Sequence, residues 1–312
     1  MMLARTADAL FWLARYMERV DNLARMLEAA QAMAGVSNES EEWRSVLVAA
    51  GVEELYDAEH DVTTADKVAR YICAAPSNPA SILNCLDRAR INARAMRTAL
   101  TRDMWHAVNE GWLQSRALGE TSFSPAMLPD TLDWLRTVST RFAGAYQVTM
   151  LRNEIYWFTR LGTFLERADN TARILDVKYH LLLPPDSSGV GGMLDYYQWT
   201  SVLRAASAVR AYQWVYRQEV QPWNVAELLI LRPEMPRSLR ACYDEISRAL
   251  DEIAGFHGGR RGECHRLAGA VASQLRYARI EDVFQAGLHE ELTRVIERTA
   301  DLGDEIAKLY MR

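Results

Sequence analysis

Glu18-Arg19-Val20-Asp21-Asn22 is written a second time, 148 positions later, as Glu166-Arg167-Ala168-Asp169-Asn170. Around the two copies the same offset pairs Leu13, Ala24, Arg25 and Leu27 with Leu161, Ala172, Arg173 and Leu175. An offset of 156 then matches Trp43, Ser45, Val46, Leu47 and Tyr56 to Trp199, Ser201, Val202, Leu203 and Tyr212. A third block, at 157, matches Pro76, Pro79, Ser81 and Cys85 to Pro233, Pro236, Ser238 and Cys242. Helix, helix, proline-marked turn and helix recur in order, which predicts an all-α protein of two internally duplicated helical bundles stacked about a pseudo-twofold. The expected division is 1–148 and 149–312, with the extra residues of the second half taken up in a flexible Pro, Asp, Ser and Gly loop at 184–192.

The helical reading rests on periodicity. Leu10, Leu13, Met17, Val20, Leu23 and Leu27 return every three or four residues, so one long helix is expected from Thr6 to about Met33. Its counterpart runs through Ile155, Phe158, Leu161, Leu165, Ala168 and Leu175 to about Leu183. Pro76 and Pro79 stop a helix, because proline lacks the amide proton and restricts the residue before it. A further long helix is expected from Ala80 past Arg102, a loop at Gly119–Pro129, and a helix capped by Asp130. Neither strand-like alternation nor a glycine-rich phosphate fingerprint is present.

Composition narrows the function classes. Hydrophobic residues are 49% and charged residues 25% of the 312, the balance of an ordinary globule. A net charge of -5 gives no overall basic field, so neither nucleic acid nor an anionic membrane is a favoured partner. Cys73, Cys85, Cys242 and Cys264 lie too far apart for a zinc-finger spacing or a disulfide framework, and buried, reduced thiols are expected. The opening apolar run is too short for a signal-peptide core, and nothing resembles a span of about 20 apolar residues, so the expected location is cytoplasmic.

On a helical wheel Glu18, Asp21, Asn22 and Arg25 share one sector, which Arg15 extends. A solvated face would gain only about 0.2–0.5 kcal/mol from each Asp21–Arg25 or Asp169–Arg173 pair. Tyr16, Met17 and Val20 change to Phe164, Leu165 and Ala168 between the copies, whereas the charged residues stay identical. That contrast favours two facing helices with a partly buried network of Arg15, Glu18, Arg19, Asp21, Asn22, Arg25, Glu166, Arg167, Asp169, Asn170 and Arg173, each carboxylate holding a guanidinium. The network is either a structural clasp or the floor of a site. A metal centre is not assigned, since arginines crowd the acids and no Glu-x-x-His motif accompanies them. Catalysis would use Glu18 and Glu166 as acids or bases, with Arg19 and Arg167 orienting an anionic group. Arg88, Arg90, Asn92, Arg94 and Arg97 form a separate basic run with no equally charged counterpart, either a solvated face or a contact for an anion or acidic partner.

The segments Phe11-Trp12-Leu13-Ala14-Arg15-Tyr16-Met17-Glu18-Arg19 and Arg160-Leu161-Gly162-Thr163-Phe164-Leu165-Glu166-Arg167-Ala168-Asp169 carry a resemblance, joined by Asn78-Pro79-Ala80-Ser81-Ile82 and Arg90-Ile91-Asn92-Ala93-Arg94. Together they resemble the bacterial alpha-E family, a domain of unknown function with repeated Glu-Arg helices. Ile91 departs from the family's Arg-Glu-Asn-Ala-Arg pattern. The resemblance implies association with circularly permuted ATP-grasp proteins and transglutaminase-like proteases, in systems that make and process amide-linked or peptide-modified products. The expected role is therefore the all-helical component of an ATP-grasp amidoligase system, binding the ligase and its peptide product, with no cofactor of its own. The alternative is an enzyme acting on a peptide or amide product in a pocket between the halves.

Overall fold

The structure, a computed structural model, describes residues 3–33, 39–182 and 193–311; the expected flexible loop 184–192 lies outside them. Fifteen α-helices and no strand occur among the described residues, so the protein is all-α. In the first half they are α1 (Ala4–Met33), α2 (Glu39–Ala50), α3 (Glu53–Asp57), α4 (Ala65–Ala74), α5 (Ile82–Ala95), α6 (Arg102–Ser115) and α7 (Leu128–Thr149). The second half adds α8 (Glu154–Leu182), α9 (Met193–Ala205), α10 (Val209–Tyr216), α11 (Pro222–Ile230), α12 (Leu239–Phe256), α13 (Glu263–Tyr277), α14 (Ile280–Ala286) and α15 (Leu288–Tyr310).

Helices α1 and α8 lie at the centre and pack most extensively on each other. Gly162 lies against Phe11 and Ala14, and Glu166, one turn on, lies against Arg15 and Arg19, so the two helices run side by side in the same direction. Gly162 permits this approach. A Cβ there would sit 2.3 Å from the Phe11 carbonyl oxygen, closer than any side chain tolerates. One turn later Glu166 and Arg167 come level with Arg19 and Glu18.

Each of the two central helices is covered by its own set of neighbours. Helices α5 and α7 cover α1, while α12 and α15 cover α8; α2 crosses to pack on α8, and α9 crosses to pack on α1. The apolar core is one cluster running through both halves. Local devices correspond. Tyr56 Oη donates to the Val62 carbonyl at 2.9 Å and Tyr212 Oη to the Glu219 carbonyl at 2.8 Å. Helices α2 and α9 both end through a residue of positive φ, Gly51 at 68° and Ser207 at 52°, followed by matching backbone bonds from Val52 to Leu47 and from Ala208 to Leu203.

Some expected boundaries shift. The helix expected from Ala80 past Arg102 is two: α5 ends at Ala95, a turn buries Met96 and Leu100, and Thr101 Oγ1 caps α6 by accepting from the Met104 amide. Within the expected loop at Gly119–Pro129, Glu120–Phe123 forms a 3-10 turn, and α7 starts at Leu128 with Pro129 rather than an Asp130 cap in its first turn. Trp157 is buried, whereas Trp223 is exposed and stacks on Phe284 at 4.6 Å. No helix among the described residues is long and apolar enough to cross a membrane.

Candidate functional site

The side chains of α1 and α8 exchange partners across their contact. Arg167 clamps Glu18 with Nε on Oε1 at 2.8 Å and Nη2 on Oε2 at 2.9 Å. Arg19 does the same to Glu166, at 2.6 and 3.1 Å. These are forked, charge-assisted bonds, the geometry for which guanidinium is suited. Each acid then takes a second arginine from a different place. Arg15 Nε reaches Glu166 Oε2 at 2.7 Å, and Arg237 Nη1 reaches Glu18 Oε1 at 3.0 Å.

One turn onward the two copies diverge. Asp21 receives Arg25 Nε at 2.8 Å and Arg237 Nη2 at 2.5 Å, and Asn22 Oδ1 receives Arg237 Nη1 at 2.8 Å. Among the described residues, Asp169 receives only Arg173 Nε, at 2.8 Å, and Asn170 has no such bond. The reason is a single position. At the offset of 157, Arg237 falls on Ala80, so the second copy lacks the guanidinium that closes the first. Thr171 Oγ1 fixes the Arg237 carbonyl to α8 at 2.9 Å, and Ser238 caps α12 behind it. Arg25 finishes on the Ser207 hydroxyl, whereas Arg173 lies beside Gly51.

A cavity of about 300 Å³ lies beside Ala80. Arg15, Arg19, Asn22, Asp169, Asn170 and Arg173 line its polar side. A smaller one of about 190 Å³ lies on the Arg237 side of the network, by Tyr146 and Thr163. Thr163 stands there at the position that Arg15 holds in the first copy.

Electrostatics separates Glu18 and Glu166 from Asp169. Burial would raise the Glu18 carboxyl, but the charges of Arg167 and Arg237 and the Arg167 bonds outweigh it and hold the group at about 2. Burial likewise opposes ionisation of Glu166, and Arg19 and Arg15 hold it at about 2. For Asp169 burial wins over Arg173 and the pKa is raised. Below the network, burial pushes the thiols of Cys85 and Cys242 up to about 12, so neither is a nucleophile at neutral pH. All four cysteines are buried and free.

Such an arrangement can bind but is poorly made for proton transfer. Glu18 and Glu166 stay ionised far below neutral pH, each accepting three arginine bonds, whereas a general base works best with a pKa near the operating pH. Every carboxylate already faces a guanidinium, so the acids form no open anionic cage for a cation. The arginines Arg15, Arg19, Arg25, Arg167, Arg173 and Arg237 outnumber Glu18, Asp21, Glu166 and Asp169 by two.

Ten of the eleven residues expected in the network take part in these bonds, and Asn170 only lines the cavity. The basic run does not join them. Arg90 lies over the Trp112 ring at 3.8 Å and donates to Asn109 at 3.2 Å, and Arg97 lies over Trp105 at 5.1 Å. Arg88 and Arg94 are exposed and Asn92 is half-buried. Two network members escaped sequence reasoning. Arg237 carried a signal, as the charged mismatch inside an otherwise matching Pro-x-Ser block, but Ser207 carried none.

A profile described as a predicted alpha-helical domain with a conserved ER motif, Alpha-E, matches residues 2–311. The chain belongs to the Alpha-E family. Its Glu-Arg pairs at 18–19 and 166–167 are the two that clamp each other here. This Alpha-E chain is similar to the uncharacterized protein Mb2597 of Mycobacterium bovis, at 23% identity over 94% of the chain and 35% of the relative. It is also similar to the uncharacterized protein Rv2567 of Mycobacterium tuberculosis, at 22% identity with the same coverage. The chain therefore spans about a third of the length of these curated relatives. No solved structure matches it.

Proposed function

We propose that this Alpha-E chain is the non-catalytic helical component of an ATP-grasp amidoligase system, binding the ligase and presenting or retaining its peptide product. In this reading the halves 1–148 and 149–312 are duplicated bundles meeting about a pseudo-twofold, supported by the exchange of Glu18–Arg167 for Glu166–Arg19. The observation that carries the binding role is the state of the central acids. Both are clamped by two arginines and ionised, which leaves the site without a proton donor while leaving it a surplus of cations for an anionic ligand. The length of the relatives supports a partner, since in them the same domain is continuous with roughly two thirds more of the polypeptide. Exposed Arg88 and Arg94 are the proposed acidic-partner contact.

The test is reconstitution. The ATP-grasp protein is assayed for amide formation from ATP and peptide with and without this chain, and captured on immobilised wild type and on an Arg88→Ala, Arg94→Ala variant. The proposal expects no turnover by this chain alone, a requirement for it in the mixture, and capture weakened by the double variant. Turnover by the isolated chain, lost in Glu18→Gln, would establish the enzyme reading instead.

A further inference from the structure

We propose that the cavity beside Ala80 is a binding site for a small zwitterionic amino-carboxylate, the size of a free amino acid or a dipeptide, with its cationic end against Asp169 and Asn170 and its carboxylate on the arginines. The inference goes beyond the ligase role and stands on the geometry of this chain alone.

The first copy of the repeat shows what the second lacks. There Arg237 places one guanidinium against Glu18, Asp21 and Asn22 together. Their counterparts Glu166, Asp169 and Asn170 all line the cavity, and Ala80 leaves them without that cation. Glu166 Oε1 accepts only Arg19 Nε, whereas Oε2 accepts both Arg19 Nη2 and Arg15 Nε. Acceptor capacity therefore remains on the side where the cation is missing. An ammonium or guanidinium of a guest would complete the arrangement already built once in the molecule.

A simple cation would not suffice. Arg15, Arg19 and Arg173 line the same cavity against two carboxylates, so a bare cation would raise an existing surplus of one positive charge to two. The arginines also keep donors to spare. Arg15 and Arg173 each commit only Nε to a carboxylate, and Arg19 commits Nε and Nη2. Asn22 also forms part of the cavity wall, with its Oδ1 held by Arg237. One guest with a carboxylate and a cation a few bonds apart answers both halves of the site and leaves the net charge unchanged. The cavity's 300 Å³ admits one or two amino-acid residues and no folded partner.

The test uses purified chain, with no ligase. Thermal shift and calorimetry are run with L-alanine, L-glutamate, L-arginine and L-alanyl-L-alanine, each at about 10 mM, and with propionate, glutarate, ethylamine and butylamine, which carry one kind of charge only. At least one zwitterion is expected to raise Tm, with none of the single-charge probes matching it. Ala80→Arg puts a guanidinium into the cavity where the guest's cationic end would sit, and should weaken that zwitterion's Kd by at least about tenfold. Arg173→Gln should weaken it as well. If Ala80→Arg does not fold, Asp169→Asn, which keeps the shape, serves in its place with the same expected loss. No shift by any zwitterion, an equal shift by propionate or ethylamine, or wild-type affinity in the folded variant overturns the proposal.

Discussion

Arg167 holds Glu18 by two parallel hydrogen bonds, 2.8 and 2.9 Å, and so locks α8 to α1, with the carboxylate buried and the guanidinium half-buried. Removing Arg167 takes two of the three arginine bonds from Glu18 and leaves it only Arg237 Nη1. Arg167→Ala is expected to cost about 3–5 kcal/mol in urea unfolding, more than any exposed pair in this protein. Replacing both residues by apolar ones of similar volume, Glu18→Leu with Arg167→Met, should recover a large part of that loss. Equal destabilisation by the single and double variants would show that the pair contributes more than its mutual compensation.

Gly162 sets the separation of the two central helices. With its added Cβ only 2.3 Å from a backbone oxygen, Gly162→Ala must push α8 away from α1 and stretch the Glu18–Arg167 and Arg19–Glu166 forks together. A loss of about 2–4 kcal/mol is expected, although alanine is the better helix former by roughly 1 kcal/mol. Chemical denaturation measures it, and a neutral result would mean that the helices separate freely.

Acid should loosen the protein through the same two carboxyls. Glu18 and Glu166 are held at about 2 when folded, below the 4.5 of the unfolded chain. Their contribution is therefore present above pH 4.5 and is lost as the pH falls towards 2, because the unfolded chain binds their protons first. Urea midpoints between pH 6 and pH 2.5 (about the range these values set) should decline, and Glu166→Gln should flatten the decline. A profile that keeps its slope in Glu166→Gln would assign it to other acids.

The two aspartates should answer the same substitution differently. Asp21→Asn forfeits charge-assisted bonds from Arg25 and Arg237 and should destabilise by about 1.5–3 kcal/mol at neutral pH. Asp169 is disfavoured as an ion in the fold, so its raised pKa favours the protonated form and works against stability as pH rises through it. Asp169→Asn should leave neutral-pH stability unchanged or higher. Side-by-side melting curves decide, and equal losses at both sites would remove the asymmetry.

Much of this was legible because repetition preserved particular polar groups while their apolar neighbours drifted. Glu18, Arg19, Glu166 and Arg167 announce an interface in that way, and the all-helical class follows from the spacing of Leu10 to Leu27 and Ile155 to Leu175. Other features depend on the third dimension. Met96 and Leu100 continue the apolar pattern of α5, so nothing in the pattern marks the turn that buries them. The arginine run reads as one basic face, yet Arg90 is drawn onto Trp112, a residue of another helix. Arg237 stood inside a recognised block but at its mismatch, and a reading built on identities passes over differences. Here the difference is the more informative half of the comparison, since Arg237 against Ala80 separates the filled copy from the open one.

The crossing of α2 onto α8 and of α9 onto α1 means that neither half encloses its own central helix. Severing the exposed Leu151–Arg152 turn between α7 and α8 would give two pieces, each missing a wall that only the other supplies. Such fragments would have no stable solitary state. They would behave as an obligate heterodimer, folding only as they associate, with a melting temperature set by their concentration.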